Sequence, residues 1–201
     1  MIIVQLILYC ALFTLMVKLG VGNSALNGLF FYPKPVREKV YALGLTDRQT
    51  VGRKRKRFMI AFFAVMAAAL VLIIRVGNGI HAFLPAYWQA LLFLEVMNWY
   101  DGLVIDRLWV GHSGFWIIPG TEEIPFVQTW PQILKKRGIL TAIWVAGAAV
   151  VAGIAVVAYL IAGACAGLGS VLSCIIMWVV ALALFVGFVF VVQYLDRKKS
   201  E

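Results

Sequence analysis

The chain has 201 residues, of which 63% are apolar and 13% charged, against roughly half and a quarter in a soluble domain; a water-soluble globular fold is excluded. The net charge is +9, but the basic residues flank apolar runs, so they are topology signals and contacts for anionic lipid head groups, with no nucleic-acid surface expected. The apolar residues form runs long enough to cross about 30 Å of hydrocarbon as helices, and the short alternating strands of a membrane β-barrel are missing.

The first span covers residues 1–17. No basic segment precedes it and no small-residue cleavage site stands out, so it is read as a retained helix and not as a signal peptide. The apolar stretch from Gly20 to Tyr32 lies at the interface or extends the first helix until Pro33 and Pro35 stop it. Residues 34–57 form a basic loop with Lys34, Arg37, Lys39, Arg48 and the unbroken run Arg53, Lys54, Arg55, Lys56, Arg57. Val36, Val40, Tyr41 and Leu43 make an apolar stripe beside those charges, which suits a short helix lying on the membrane surface. Gly44 can end that helix. Thr46 followed by Gln49 resembles a capping box, from which a new helix would run into the second span, residues 58–74.

A short loop with Arg75, Gly77, Asn78, Gly79 and His81 leads to the third span, residues 82–101, which holds Pro85 and is expected to continue as helix towards Trp109. Residues 107–137 are an irregular interfacial segment closed by Lys135, Lys136 and Arg137. The fourth and fifth spans, residues 138–162 and 171–194, are rich in Ala, Gly and Val, which lets helix backbones approach closely in lipid. Those two are read as packing elements. Cys10 lies in an apolar run, while Cys165 and Cys174 flank a short external loop where a disulfide would form if the geometry allows.

Loops rich in Lys and Arg stay in the cytoplasm. With residues 34–57 inside, the 75–81 loop falls outside, 107–137 inside, 163–169 outside and the C-terminus inside. The expected fold is therefore a single all-α membrane domain over residues 1–201. It is a polytopic bundle of about five transmembrane helices, N-terminus out and C-terminus in, with a cytoplasmic interfacial helix and an irregular interfacial segment. The location implied is a membrane that faces the cytoplasm on its basic side.

The third span carries Glu95, Asn98, Asp101 and Asp106. Ionisable groups inside a span are costly and face a partner or a wet cavity. With Glu95 at zero, α-helical geometry puts Asp106 at about 20°, Asn98 at about 300° and Asp101 at about 240°, an arc of somewhat less than half the helix surface. The run Trp109 to Glu123 follows, with Pro119-Gly120 suited to a type II turn that returns the chain. Together Glu95, Asp101, Asp106, His112, Glu122 and Glu123 are the candidate catalytic acids and bases. His112 with Glu122 and Glu123 would be the ligands of any metal. Asn98, Arg107, Trp109 and Trp116 are the candidate substrate contacts. Arg53, Lys54, Arg55, Lys56, Arg57, Lys135, Lys136 and Arg137 are the expected lipid head-group contacts. His112 and an acid from the Glu122–Glu123 pair are expected to converge with Asp101 or Asp106.

Several chemistries are discounted. The chain has no phosphate-cradling Gly-x-x-x-x-Gly-Lys run, no Gly-x-Ser-x-Gly elbow and no His-Glu-x-x-His. Two histidines, one of them external, do not suit bis-His haem ligation within the bundle. No cofactor is implied.

The stretch WVGHSGFWIIPGTEE, with FFYPKPV upstream, resembles small uncharacterised multi-pass bacterial membrane proteins. The resemblance covers about half the chain and implies no activity and no site residue. Three functions compete. The first is a membrane-embedded enzyme acting on a lipid or lipid-linked substrate at the cytoplasmic face. The others are an accessory or scaffold subunit of a larger membrane complex, and a small proton- or cation-coupled transporter subunit, which five spans without a repeat would require to oligomerise.

Overall fold

A computed structural model describes residues 1–164, with Ile175 and Val179 beyond them. The described residues are helical and contain no strand. Helix α1 (Ile2–Val21) is apolar along its length. It ends where Gly22 takes φ +60 and its N–H bonds Lys18 O at 2.7 Å, a left-handed cap that glycine adopts without steric cost. The side-chain amide of Asn27 then donates to Val21 O at 3.2 Å. A 3-10 helix, Ala25–Phe31, and Pro33 lead into α2 (Lys34–Ala42), whose first turn carries proline. Val36 and Val40, one turn apart, are fully buried, so that part of the expected surface stripe turns into the protein, while Leu43 stays exposed.

Gly44 ends this segment at φ +68, with Leu45 N–H returning to Val40 O at 3.3 Å. The next helix, α3 (Arg48–Leu72), is capped by Asp47, whose Oδ1 accepts from Thr50 N–H at 2.8 Å. The capping residue is thus Asp47 and not Thr46. The basic run Arg53–Arg57 is exposed on this helix and not in a loop. A π-helix, Ile73–Gly77, continues α3. Helix α4 (Phe83–Tyr100) has Pro85 in its first turn and passes without a break into a second π-helix, Asp101–Trp109, and the short α5 (Val110–His112). After a 3-10 turn, Gly114–Trp116, the chain runs irregularly to α6 (Trp130–Ala164). Helix α6 begins well before residue 138, because Thr129 and Gln132 form the amide half of a capping box (Gln132 Oε1 accepts from Thr129 N–H at 2.9 Å) and Pro131 suits the first turn.

Among the described residues three helices are long and apolar enough to cross a membrane: Ile2–Val21, Arg48–Gly77 and Trp130–Ile161. Helix α4 has 18 residues but carries Gln89, Glu95 and Asn98, and it is not among them. The expected fifth span, Cys165 and Cys174 lie outside the described residues.

The chain divides into two compact units. One holds Met1–Tyr9, Ile60–Val96 and the described residues from Thr141 onward. In it Tyr9 meets Phe93 edge to face at 5.5 Å and donates its hydroxyl to Met66 O. Ala148, Ala152 and Ala155 of α6 are fully buried, in keeping with close backbone packing. The other unit holds Cys10–Met59 and Met97–Leu140. Its core runs from Val17, Val21 and Leu29 through Val36 and Val40 to Trp116, Ile118 and Ile133, with Tyr32 between Trp116 and Phe126. All but one of the sequence-selected acids, Glu95 being the exception, fall in this second unit.

Candidate acid–base site on a π-helix

Asp101 opens the π-helix and Asp106 lies five residues on. In an α-helix such residues point about 140° apart. The i→i+5 bonding of a π-helix widens the turn and brings them to one side. Both carboxylates reach one guanidinium. Arg137 of α6 donates through Nη1 to Asp101 Oδ2 at 2.6 Å and through Nη2 to Asp106 Oδ2 at 2.5 Å. The Arg137 side chain is 1% exposed, whereas those of Asp101 and Asp106 are 25% and 17% exposed.

Asn98 completes the cradle from the preceding turn of α4. Its carbonyl and Oδ1 accept from Arg137 Nη1 at 3.1 and 3.4 Å, and its Nδ2 donates to Arg137 O at 3.2 Å. Gly102 makes the approach possible: a Cβ there would stand 2.8 Å from Arg137 Nε. A Gly between two acids at this point lets the arginine stem cross the helix at backbone distance.

The two carboxylates are not equivalent. Asp106 Oδ2 receives three donors: Arg137 Nη2, Lys136 Nζ at 3.0 Å and Gln128 Nε2 at 3.3 Å. Charge-assisted bonds of this kind are the stronger ones, and they commit that oxygen to its three donors. Asp101 receives Arg137 alone, and its Oδ1 accepts no hydrogen bond among the described residues. It is also the more exposed of the pair. Asp101 thus keeps one carboxylate oxygen without a hydrogen-bond partner among the described residues, while one Asp106 oxygen is shared by three donors.

The remaining sequence candidates are dispersed. Glu95, in the other unit, accepts from Thr141 Oγ1 at 2.8 Å. His112 is exposed, and its Nδ1 lies 3.2 and 3.1 Å from the carbonyls of Arg107 and Leu108, so Nδ1 carries the proton and donates. Glu122 Oε1 accepts from Gly120 N–H at 3.0 Å, and backbone N–H groups, its own and that of Gly120, hold its carboxyl below the usual range. Glu123 pairs loosely with Lys39 at 3.7 Å, both exposed. Pro119-Gly120 does reverse the chain, with Gly120 at φ +84 and Thr121 N–H bonded to Ile118 O at 3.0 Å. Even so, it brings neither glutamate into an ion pair with His112. No group of three His, Cys, Asp or Glu side chains able to hold a metal is present among the described residues.

Arg107 stacks over Trp130 at 5.4 Å. Trp109 meets Trp116 edge to face at 5.3 Å, and the Lys18 ammonium lies over the rings of Trp109 and Phe115 at 5.9 and 5.1 Å. Trp116 is buried and its carbonyl accepts from Tyr32 Oη at 2.6 Å. Burial pushes the Tyr32 hydroxyl's pKa up, which keeps it a donor. Lys135 and Lys136 are exposed, as head-group contacts need, but Arg137 is not. Its place in a basic triplet concealed the inward turn. Sequence reasoning places the acids beneath Lys135, Lys136 and Arg137, but it misses Gln128 and the burial of Arg137 between the two aspartates. No protein-family model, curated protein or solved structure matches the chain.

Proposed function

We propose that this chain is a multi-pass protein of a bacterial cytoplasmic membrane that acts as an enzyme on a lipid or lipid-linked substrate at the cytoplasmic face, with Asp101 as its acid–base group. The observation that carries the reading is the π-helix that gathers Asp101 and Asp106 on a buried arginine while leaving one Asp101 oxygen open. π-Helical turns sit often at functional sites, since they cost hydrogen-bond geometry that ordinary packing does not ask for. Lys18, Arg107, Lys135 and Lys136 belong to the same unit and supply cations for an anionic head group. The positive-inside rule places residues 34–57 and 107–137 in the cytoplasm and the 75–81 loop outside.

The test is turnover of a bacterial lipid extract by the purified full-length chain, followed by lipid mass spectrometry. Asp101→Asn keeps the shape and the Arg137 contact but removes the proton acceptor, so product formation should fall by at least about a hundredfold. Unchanged turnover in that variant rejects Asp101 as the acid–base group.

An accessory role is favoured by one observation. Helix α4 exposes Leu84, Trp88 and Leu92 at four-residue spacing, an apolar stripe of the kind a partner helix covers. A partner chain co-purifying in stoichiometric amount, with no lipid turnover, would establish that role instead.

A further inference from the structure

Arg75 lies in the π-helix that ends α3, in the unit that holds Ile60–Val96. An arginine at the end of a span ordinarily extends its head group into water or the lipid interface. This one turns inward and is 5% exposed. Its Nε donates to Ala155 O at 2.8 Å, and its Nη1 donates to Ile80 O and to His81 Nδ1, the latter at 3.0 Å. The guanidinium carbon lies 4.4 Å from the centre of the Tyr159 ring, and that ring stacks on His81 at 4.5 Å. Its Nη2 is buried and has no partner.

Among the described residues the group lacks a counter-charge. No carboxylate lies within ion-pair distance of Arg75 among the described residues. In its unit Glu95 is the sole described acid, and that carboxylate is bonded to Thr141. A guanidinium cannot shed its proton to relieve burial. Two carbonyl dipoles, an imidazole lone pair and a π face leave a buried positive charge without an anion, an arrangement that is costly unless a partner is supplied.

His81 marks where the partner enters. A guanidinium only donates, so His81 Nδ1 is the acceptor of this bond. The imidazole is exposed and is the one side-chain acceptor on Nη1. Gly77 and Gly79 flank it, Gly79 at φ +61 with open space around it. If His81 moves aside, Nη1 and Nη2 present the planar fork that matches two oxygens of a phosphate. We propose that Arg75 and His81 form a phosphate-binding site, filled by the phosphate of a phospholipid head group or of a soluble phosphate compound.

The experiment uses the full chain, delipidated in neutral detergent, and follows thermal unfolding with phosphatidylglycerol or inorganic phosphate added. At about a hundredfold excess over the dissociation constant the wild-type melting temperature should rise by roughly 5–10 °C. Arg75→Gln should lose most of that shift. A chain with Arg53, Lys54, Arg55, Lys56 and Arg57 all changed to Gln should keep it, which separates this site from head groups gathered at the basic run. A shift with phosphatidylglycerol alone assigns the lipid, and one with inorganic phosphate assigns the soluble ligand. Equal shifts in wild type and Arg75→Gln, or none in either, overturn the proposal. Should Arg75→Gln fail to fold, Arg75→Lys keeps the charge but not the fork, and its dissociation constant must rise by about tenfold or more; an unchanged constant overturns the proposal equally. None of these variants touches Asp101 or Arg137, so the result is independent of the Asp101 reading.

Discussion

Replacing Arg137 with Gln isolates the centre of the acid cluster. The substitution removes the charge from a side chain that is 1% exposed and deletes the ion pairs to Asp101 at 2.6 Å and Asp106 at 2.5 Å. Each charge-assisted bond contributes about 1.5–3 kcal/mol, so the pair sums to about 3–6 kcal/mol. Two effects offset part of the loss. Lys136 and Gln128 still hold Asp106, and Asp101 is a quarter exposed, so water shields it. The expected net destabilisation is about 2–4 kcal/mol. Equilibrium unfolding in mixed micelles of neutral detergent and dodecyl sulfate measures it. Arg137→Lys should recover less than half, because one ammonium cannot span both carboxylates at these distances. The double variant Arg137→Gln/Asp101→Asn should be less destabilised than the sum of its parts, by roughly 0.5–3 kcal/mol. A loss below about 1 kcal/mol for Arg137→Gln, the range of an exposed ion pair, would refute the view that this arginine organises the site.

Gly102→Ala places a methyl group 2.8 Å from Arg137 Nε and 3.2 Å from its Cγ and Cδ, and should cost about 1–3 kcal/mol by displacing the guanidinium; the same unfolding assay reads it. Tyr32→Phe strands the buried Trp116 carbonyl, with an expected loss of about 1–3 kcal/mol and a change in tryptophan fluorescence. Gly120→Ala combines a left-handed backbone at φ +84 with a contact 2.8 Å from Leu43 Cδ1, so it should open the 118–121 turn and raise amide exchange there. The Glu122 carboxyl titrates below its ordinary range, so its bond to Gly120 N–H is intact at neutral pH and is lost as pH falls through that lowered value. Protection of the Gly120 amide, taken relative to the intrinsic exchange rate at each pH, should therefore fall at acid pH in the wild type and stay level in Glu122→Gln.

Much of the helical layout is legible because its causes are local. Apolar runs mark α1, α3 and α6, and Gly44 ends α2 where only positive φ would serve, but α1 stops earlier, at Gly22, and Pro35 sits in the first turn of α2 instead of stopping a helix. Helix α6 starts at Trp130, earlier than the expected residue 138, because Gln132 caps the Thr129 N–H and Pro131 sits in the first turn, where its missing N–H costs nothing. The acid pair is legible as residues but not as a pair. A fixed 100° per residue separates Asp101 from Asp106, and nothing in a periodicity announces a π-helix. Arg137 is hidden for another reason: inside Lys-Lys-Arg its charge looks like its neighbours', and only the glycine at 102 hints that a long side chain must cross there. His112, Glu122 and Glu123 were grouped by sequence proximity, yet backbone carbonyls, a backbone amide and Lys39 satisfy each of them separately.

The central claim is a division of labour between two aspartates, and lipid turnover by Asp101→Asn and Asp106→Asn side by side tests it most directly. Each variant is first scored for folding by its unfolding midpoint in mixed micelles, then assayed on bacterial lipid extract. Asp101→Asn keeps the Arg137 contact as a neutral hydrogen bond, so it should stay folded with a loss of about 1–2 kcal/mol and lose turnover by at least about a hundredfold. Asp106→Asn, which removes the oxygen charge that three donors share, should lose stability, with turnover falling in proportion to the folded fraction. Full turnover in Asp101→Asn, or a selective loss in a stably folded Asp106→Asn, would contradict it.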